Sequence, residues 1–251
     1  MSGFSDDLNE EQSKALDVMK ENISDVASNA VVDKEYLLRF LRARDFDVTK
    51  AEHMLRQCLK WREETDVENR DNIPFPDFAQ FAPLISLPIG RAKDGSPVVY
   101  VNYDGADFKG LSQCCQTKDW VSIICRGMEM ADAVAKTTSK PYKGVTAIID
   151  YNNIGMNMIS KPSLDILNGA YGAVDNYFPE FVSKMIVLNG SIVVNIFYKL
   201  IKRLIPPKTR SKIELLKDTN DIKKFIDEDQ LIGYYGGTLV DEDGDPKFSS
   251  K

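Results

Sequence analysis

The residues able to do chemistry are few and unevenly spread. His53 is the only histidine in 251 residues, which removes paired-histidine metal sites and most histidine-based acid–base schemes. It falls inside a helical run with no ligand partner at metal spacing, so it reads as a surface or interhelical side chain. The four cysteines, Cys58, Cys114, Cys115 and Cys125, form no C-x-x-C pair, and free thiols in a reducing compartment are expected. The sequence contains neither a glycine-rich phosphate loop nor a G-x-S-x-G elbow. Asp150 closes an apolar run, where α/β enzymes often place catalytic groups. It has no evident partner, and the Tyr151-Asn152-Asn153 that follows favours a loop-capping role. No nucleophile–base pair is readable, so nothing here recommends an enzyme.

The informative residues are cationic. On a helix turning about 100° per residue with Leu37 at zero, Leu41 falls at about 40° and Arg44 at about 340°. On the same projection Arg42 (about 140°) and Arg39 (about 200°) point away from the apolar face. An arginine facing a core needs an acidic or anionic partner, because an unpaired buried charge is costly. Arg44 is therefore either a last-turn side chain that escapes to solvent or a buried anion binder, and the helix alone leaves both open. The segment Lys199–Lys217 carries seven cations against one acid, Glu214, in a chain whose net charge is −6. Such a concentration suggests an anionic surface as partner, while the acidic whole argues against a general nucleic-acid binder.

The helix expected at Ser191–Leu204 has an unusual cross-section. With Ile192 at zero, its apolar residues extend from about 40° to about 240°. Asn195, Lys199, Lys202 and Arg203 fill the remaining side. That arc is wider than a surface helix needs. Either the helix is buried with a basic stripe, or it is interfacial, lying on a membrane or lidding an apolar cavity.

These residues need elements to place them. Helical spacing is expected over Glu11–Val26, over Lys34–Arg44 with Asp33 as its cap, and from Thr49, where Glu52 completes a capping box. Charged and proline-punctuated text follows Trp61, and the domain boundary is expected near residue 72. Thereafter apolar runs at Pro97–Tyr103, Val145–Tyr151, Lys184–Asn189 and, more weakly, Leu231–Tyr235 alternate with helices at Thr117–Thr138, Pro162–Asn176 and Ser191–Leu204. The alternation indicates an α/β domain with a mixed, partly parallel sheet flanked by helices. The N-terminus lacks a secretory pattern. The most apolar stretch, Met185–Tyr198, is shorter than the ~20 residues of a bilayer span, so a soluble, cytoplasmic protein is expected.

The order of motifs resembles one family. Leu37-Leu38-Arg39-Phe40-Leu41-Arg42-Ala43-Arg44, Phe46-Asp47-Val48 and Lys60-Trp61-Arg62 are similar to the helical N-terminal region of CRAL-TRIO lipid-binding and lipid-transfer proteins. Lys93-Asp94-Gly95, Ile148-Ile149-Asp150, Tyr177-Phe178-Pro179-Glu180, Val187-Leu188-Asn189, Pro207–Ile213 and Tyr235-Gly236-Gly237 continue the match, so that it spans roughly Glu10 to Leu239. The resemblance implies a helical N-terminal region (1–72), a lipid-binding domain (73–245) enclosing an apolar pocket, and a tail (246–251). It implies a mobile gate at Ile192–Leu204, with Val193, Ile196, Phe197, Lys199, Leu200, Lys202 and Arg203 at the gate or the membrane. By the same resemblance, Arg44, Glu180, Thr209 and Lys212 would hold a phosphatidylinositol headgroup, and Val145 and Ala147 would line the pocket.

The pattern departs where phosphatidylcholine-binding members carry strand hydroxyls and tyrosines. This sequence has Val145 and Ala147, and Pro88 and Val99, at those places. Phosphatidylcholine is therefore disfavoured as a second ligand, and another apolar lipid could replace it. The implied function is a monomeric, non-enzymatic carrier that exchanges phosphatidylinositol between membranes or presents it to a lipid kinase. It would touch anionic membrane surfaces transiently. The alternative is a sensor that retains its lipid and recruits protein partners.

Overall fold

The computed structural model describes residues 3–26, 32–65, 85–104, 107–114, 116–138, 143–156, 159–203, 205 and 207–248. The expected boundary near residue 72 lies outside the described residues. The N-terminal helices are α1 (Glu10–Asn22), α2 (Lys34–Ala43) and α3 (Val48–Glu64). Asp33 caps α2 by accepting from the Tyr36 amide, as its position suggested. The start of α3 differs from the expectation. Asp47, not Thr49, is the N-cap, and its carboxylate accepts from the Lys50 amide. Asp and Thr are both good caps; the left-handed pair Asp45 (φ 52°) and Phe46 (φ 62°) turns the chain early and decides between them.

The second part alternates strands and helices: β1 (Val98–Asn102), α4 (Phe108–Cys114), α5 (Thr117–Thr138), β2 (Val145–Asp150), α6 (Lys161–Tyr177), β3 (Val182–Leu188), α7 (Ile192–Ile201), α8 (Pro207–Arg210) and β4 (Ile213–Leu215). The four strands pair in the order β1-β2-β3-β4, and every ladder is parallel. Antiparallel pairing is confined, among the described residues, to isolated bridges such as Ile85 with Val101. The sheet is thus more uniformly parallel than the mixed sheet expected. Leu231–Tyr235 is not a strand: it enters a 3-10 turn at Gly233–Tyr235.

Consecutive parallel neighbours joined by crossovers of one hand send their helices to one side of a sheet. The clusters obey this. Val99, Val145, Ala147 and Met185 face Cys125, Met128 and Ala131 of α5 and Ala173 of α6. Val187 on the same face meets Val194, Phe197 and Ile201 of α7. The opposite face, with Val98, Tyr100, Ile148 and Ile186, is covered by the C-terminal turns through Ile222, Ile226, Leu231 and Tyr235.

Among the described residues, buried arginines of the helical region fasten it to this domain. Arg39 donates from Nη1 to both carboxylate oxygens of Asp132 on α5 (3.1 and 3.0 Å) and from Nε to the Pro179 carbonyl (2.9 Å). Arg62 pairs with Glu129, one turn away on α5. Beside them the Trp61 and Tyr177 rings stack at 4.4 Å. Truncating one partner strands a charge in a dry seam. Arg39→Ala should therefore cost about 3–5 kcal/mol in urea unfolding, whereas Arg39→Met with Asp132→Leu should recover most of the loss.

Candidate functional site

The headgroup candidates come from three chain segments. The end of α2 supplies Arg42 and Arg44, the turn between α6 and β3 supplies Glu180, and the turn leading into β4 supplies Thr209 and Lys212. Glu180 sits in the left-handed region (φ 57°). Gly144 makes room for that turn: a Cβ there would lie 2.8 Å from the carbonyls of Glu180 and Phe181. The Glu180 carboxylate stands 3.9 Å from Lys212 Nζ and 3.8 Å from Arg42 Nε. Lys212 also donates to the Val182 carbonyl (2.7 Å). Thr209 is half-buried on the same turn, and its carbonyl accepts from the Lys212 amide. The next-door Lys208 reaches the Arg42 carbonyl (3.2 Å) and the Asp45 carboxylate, clipping this turn to the end of α2.

The arginines are arranged differently from the helical projection. Arg39 and Arg42 are buried, at 2% and 8% exposure, although the projection pointed them outward. Arg44 is half-buried and turns Nη1 back onto its neighbour's carbonyl, Ala43 O (3.1 Å). The physical reason is that α2 is enclosed: every residue from Tyr36 to Arg42 is buried. A projection finds the more apolar side but presupposes a solvent side. The structure brings Glu180 and Lys212 together, as named, and adds Arg42, which was not named. The overlooked signal is the spacing of Arg39 and Arg42, three apart and so on one face, in a chain with acids to meet both. Burial pulls the Arg42 guanidinium below its usual value, and the Glu180 carboxylate opposes that shift.

The second constellation lies around α7. Ile149 and Tyr151 at the end of β2, Met185 and Val187 of β3, and Val194, Phe197, Tyr198 and Ile201 of α7 line an apolar cavity of about 30 Å³. Val145 and Ala147 share this face of the sheet but pack in the neighbouring cluster with α5 and α6, not in the wall of this cavity. The wide apolar arc of α7 divides in two. Val194, Phe197 and Ile201 are buried over the sheet, and Val193 is half-buried. Ile192, Ile196 and Leu200 are exposed at 79%, 40% and 50%, a stripe of fourth residues on the outer side. Lys199, Lys202 and Arg203 are exposed beside them. No described helix is long and apolar enough to cross a membrane.

Asp150 proves to be a buried hub. Its Oδ2 accepts from Tyr235 Oη (2.9 Å), and its Oδ1 from Asn189 Nδ2 (2.6 Å) and the Asn152 amide (2.9 Å). It caps its loop and ties the C-terminal Tyr-Gly-Gly turn to the ends of β2 and β3. Among the described residues, no group of three or more His, Cys, Asp or Glu side chains is placed to hold a metal ion.

A family model for the CRAL/TRIO domain matches residues 85–237, and one for the CRAL/TRIO N-terminal domain matches residues 4–57. The chain belongs to the CRAL/TRIO family. This is a family of lipid-binding and lipid-transfer proteins. The chain is 24% identical over 241 residues to "Protein real-time" of Anopheles gambiae, covering 91% of this chain and 35% of that protein. It is 24% identical over 243 residues to the phosphatidylinositol/phosphatidylcholine transfer protein SFH12 of Arabidopsis thaliana, covering 92% of this chain and 44% of that protein. The chain thus spans less than half the length of these curated relatives. The crystal structure of Sfh5 superposes with a TM-score of 0.76 over 95% of this chain and 90% of that one, at 17% identity, a likeness of CRAL/TRIO fold.

The two sides of α7 should separate in a stability experiment. Phe197→Ala, on the buried side, should cost about 3–5 kcal/mol. Ile196→Ala, on the outer side, should stay within about 0.5 kcal/mol of the parent, both read from urea denaturation.

Proposed function

We propose that this protein is a non-enzymatic phosphatidylinositol carrier. It would exchange that lipid between membranes, or present it to a lipid kinase, from the cytoplasm. The observation that carries the reading is the double-sided apolar character of α7. A helix with Phe197 and Ile201 over an apolar cavity gains by staying closed in water. The same helix, with Ile192, Ile196 and Leu200 exposed among Lys199, Lys202 and Arg203, gains by lying on an anionic membrane. Ligand pockets for molecules of this size run to roughly 300–1,000 Å³, far above the cavity beneath α7. Entry of acyl chains beneath α7 would need that helix to swing outward, and its outer stripe favours such a motion at a membrane.

The headgroup would lie at Arg44, Glu180, Thr209 and Lys212. The ammonium of Lys212 and a guanidinium suit phosphodiester and inositol oxygens. Thr209 can donate its hydroxyl, and Glu180 can accept from inositol hydroxyls. Half-buried Arg44, turned onto Ala43, would rotate toward the ligand. The lipid tails would follow the apolar face of the sheet, toward Val145 and Ala147. The Arabidopsis relative's name carries phosphatidylcholine as well as phosphatidylinositol. Here the hydrocarbon side chains of Val145, Ala147 and Val99 offer a choline lipid's headgroup no hydrogen bond, so a different apolar lipid is the better counter-ligand.

Transfer between vesicles is the test. The parent protein should move phosphatidylinositol and not phosphatidylcholine from donor to acceptor vesicles. Arg44→Ala combined with Lys212→Ala should remove most phosphatidylinositol transfer while thermal unfolding stays close to the parent's. Undiminished transfer by the double variant refutes the headgroup assignment. A single copurified lipid that never exchanges, seen by native mass spectrometry, would instead mark a sensor.

A further inference from the structure

The segment Gly3–Asp7 lies across the Arg42 side of the site. Arg42 Nη1 donates to the Gly3 carbonyl (3.1 Å). The Phe4 ring faces the same guanidinium, its centroid 4.2 Å from Cζ. Lys143 Nζ stands 5.5 Å from that ring as well. Phe4 is thus held against two cations, next to the Glu180–Lys212 pair.

Arg42 is incompletely satisfied there. Its side chain is 7% exposed, and its Nε is buried without a hydrogen-bond partner. The Glu180 oxygen, at 3.8 Å, is beyond hydrogen-bond reach. An aromatic face balances the charge of a guanidinium through its quadrupole but gives the in-plane N–H groups no acceptor. A phosphate ester would do both, accepting from Nε and Nη together. The strap makes backbone hydrogen bonds of its own. Its bonds from the Gly3 amide to Asp7 O (3.3 Å) and from the Asp7 amide to Phe4 O (2.9 Å) are internal. Lys34 reaches the Ser5 carbonyl from the surface at 3.3 Å. Gly3 has φ +75°, and a Cβ there would press 2.8 Å from the Phe46 ring, so the strap enters through a position suited to glycine.

We propose that Gly3–Asp7 is an autoinhibitory strap in which Phe4 holds the place of a phosphate ester beside Arg42. Arg42 then joins Glu180 and Lys212 as a headgroup contact once the strap is displaced. The inference rests on the carrier reading for the identity of its ligand, but not for the existence of the anion place. Binding of the anion and occupancy by Phe4 are mutually exclusive alternatives for one guanidinium, so the strap raises the threshold for loading.

Hydrogen–deuterium exchange of residues 3–8 in the full chain tests this. Three additions are compared: phosphatidylcholine vesicles, the same vesicles containing phosphatidylinositol, and inorganic phosphate. Exchange of the strap should rise with phosphatidylinositol vesicles and not with phosphatidylcholine alone. A rise with inorganic phosphate as well assigns the effect to the anion rather than to the whole lipid. In parallel, Phe4→Ala should speed phosphatidylinositol pick-up by about threefold to tenfold, within the range of a lost cation–π contact. Phe4→Leu, which keeps apolar bulk, should act in the same direction and guards against misfolding. Normal pick-up by the parent with an unchanged strap, or variants no faster than the parent, overturns the strap while leaving the carrier intact. No pick-up by the parent sinks the carrier reading. In that event, a strap indifferent to inorganic phosphate overturns this proposal too, and a strap released by it upholds the anion place.

Discussion

Positive charge buried along one seam is the constraint on which the other features depend. Arg39, Arg42 and Arg62 leave the N-terminal helices and meet Asp132, Glu180 and Glu129 of the α/β domain. A buried ion without its partner costs several kcal/mol, so the seam tolerates little sliding. The bond from Arg39 to the Pro179 carbonyl places the turn that carries Glu180. Glu180 in turn faces Lys212, whose segment is clipped to α2 through Lys208. Fastening and site are therefore built from one set of charges, and Arg42 belongs to both.

The sheet explains the other half of the molecule. Because its strands follow one another in order and in parallel, the crossover helices gather on one face. The C-terminal turns must then close the opposite face, and the Asp150–Tyr235 bond anchors them. With that side sealed, α7 becomes the cover of the remaining apolar ground. Its side chains serve two environments, protein inside and whatever lies outside. That duality separates it from α5 and α6, whose buried residues meet the sheet and, through Glu129 and Asp132, the N-terminal helices.

Much of this was legible in order along the chain. The cap of α2, the spacing of the N-terminal helices, three of the four described strands and the α5, α6 and α7 helices are local features, governed by near neighbours along the chain. The short strand β4 was not legible, since three residues carry too little periodicity and lie in a stretch dominated by cations. Leu231–Tyr235 misled because an apolar run packing beneath a sheet looks the same as one joining it. Thr49 lost to Asp47 because two good caps compete and the preceding left-handed turn chooses.

The amino-acid order alone determined the family-like sequence of motifs, the basic segment within an acidic chain, and the excess apolar arc of α7. These are properties of composition and of short-range repeat. Tertiary structure decided which arginine faces Glu180, which half of the α7 arc is buried, and that Phe4 rests on a guanidinium. Those outcomes depend on enclosure from several directions and on partners far away along the chain, such as Arg39 with Asp132. A helical projection has no information about either.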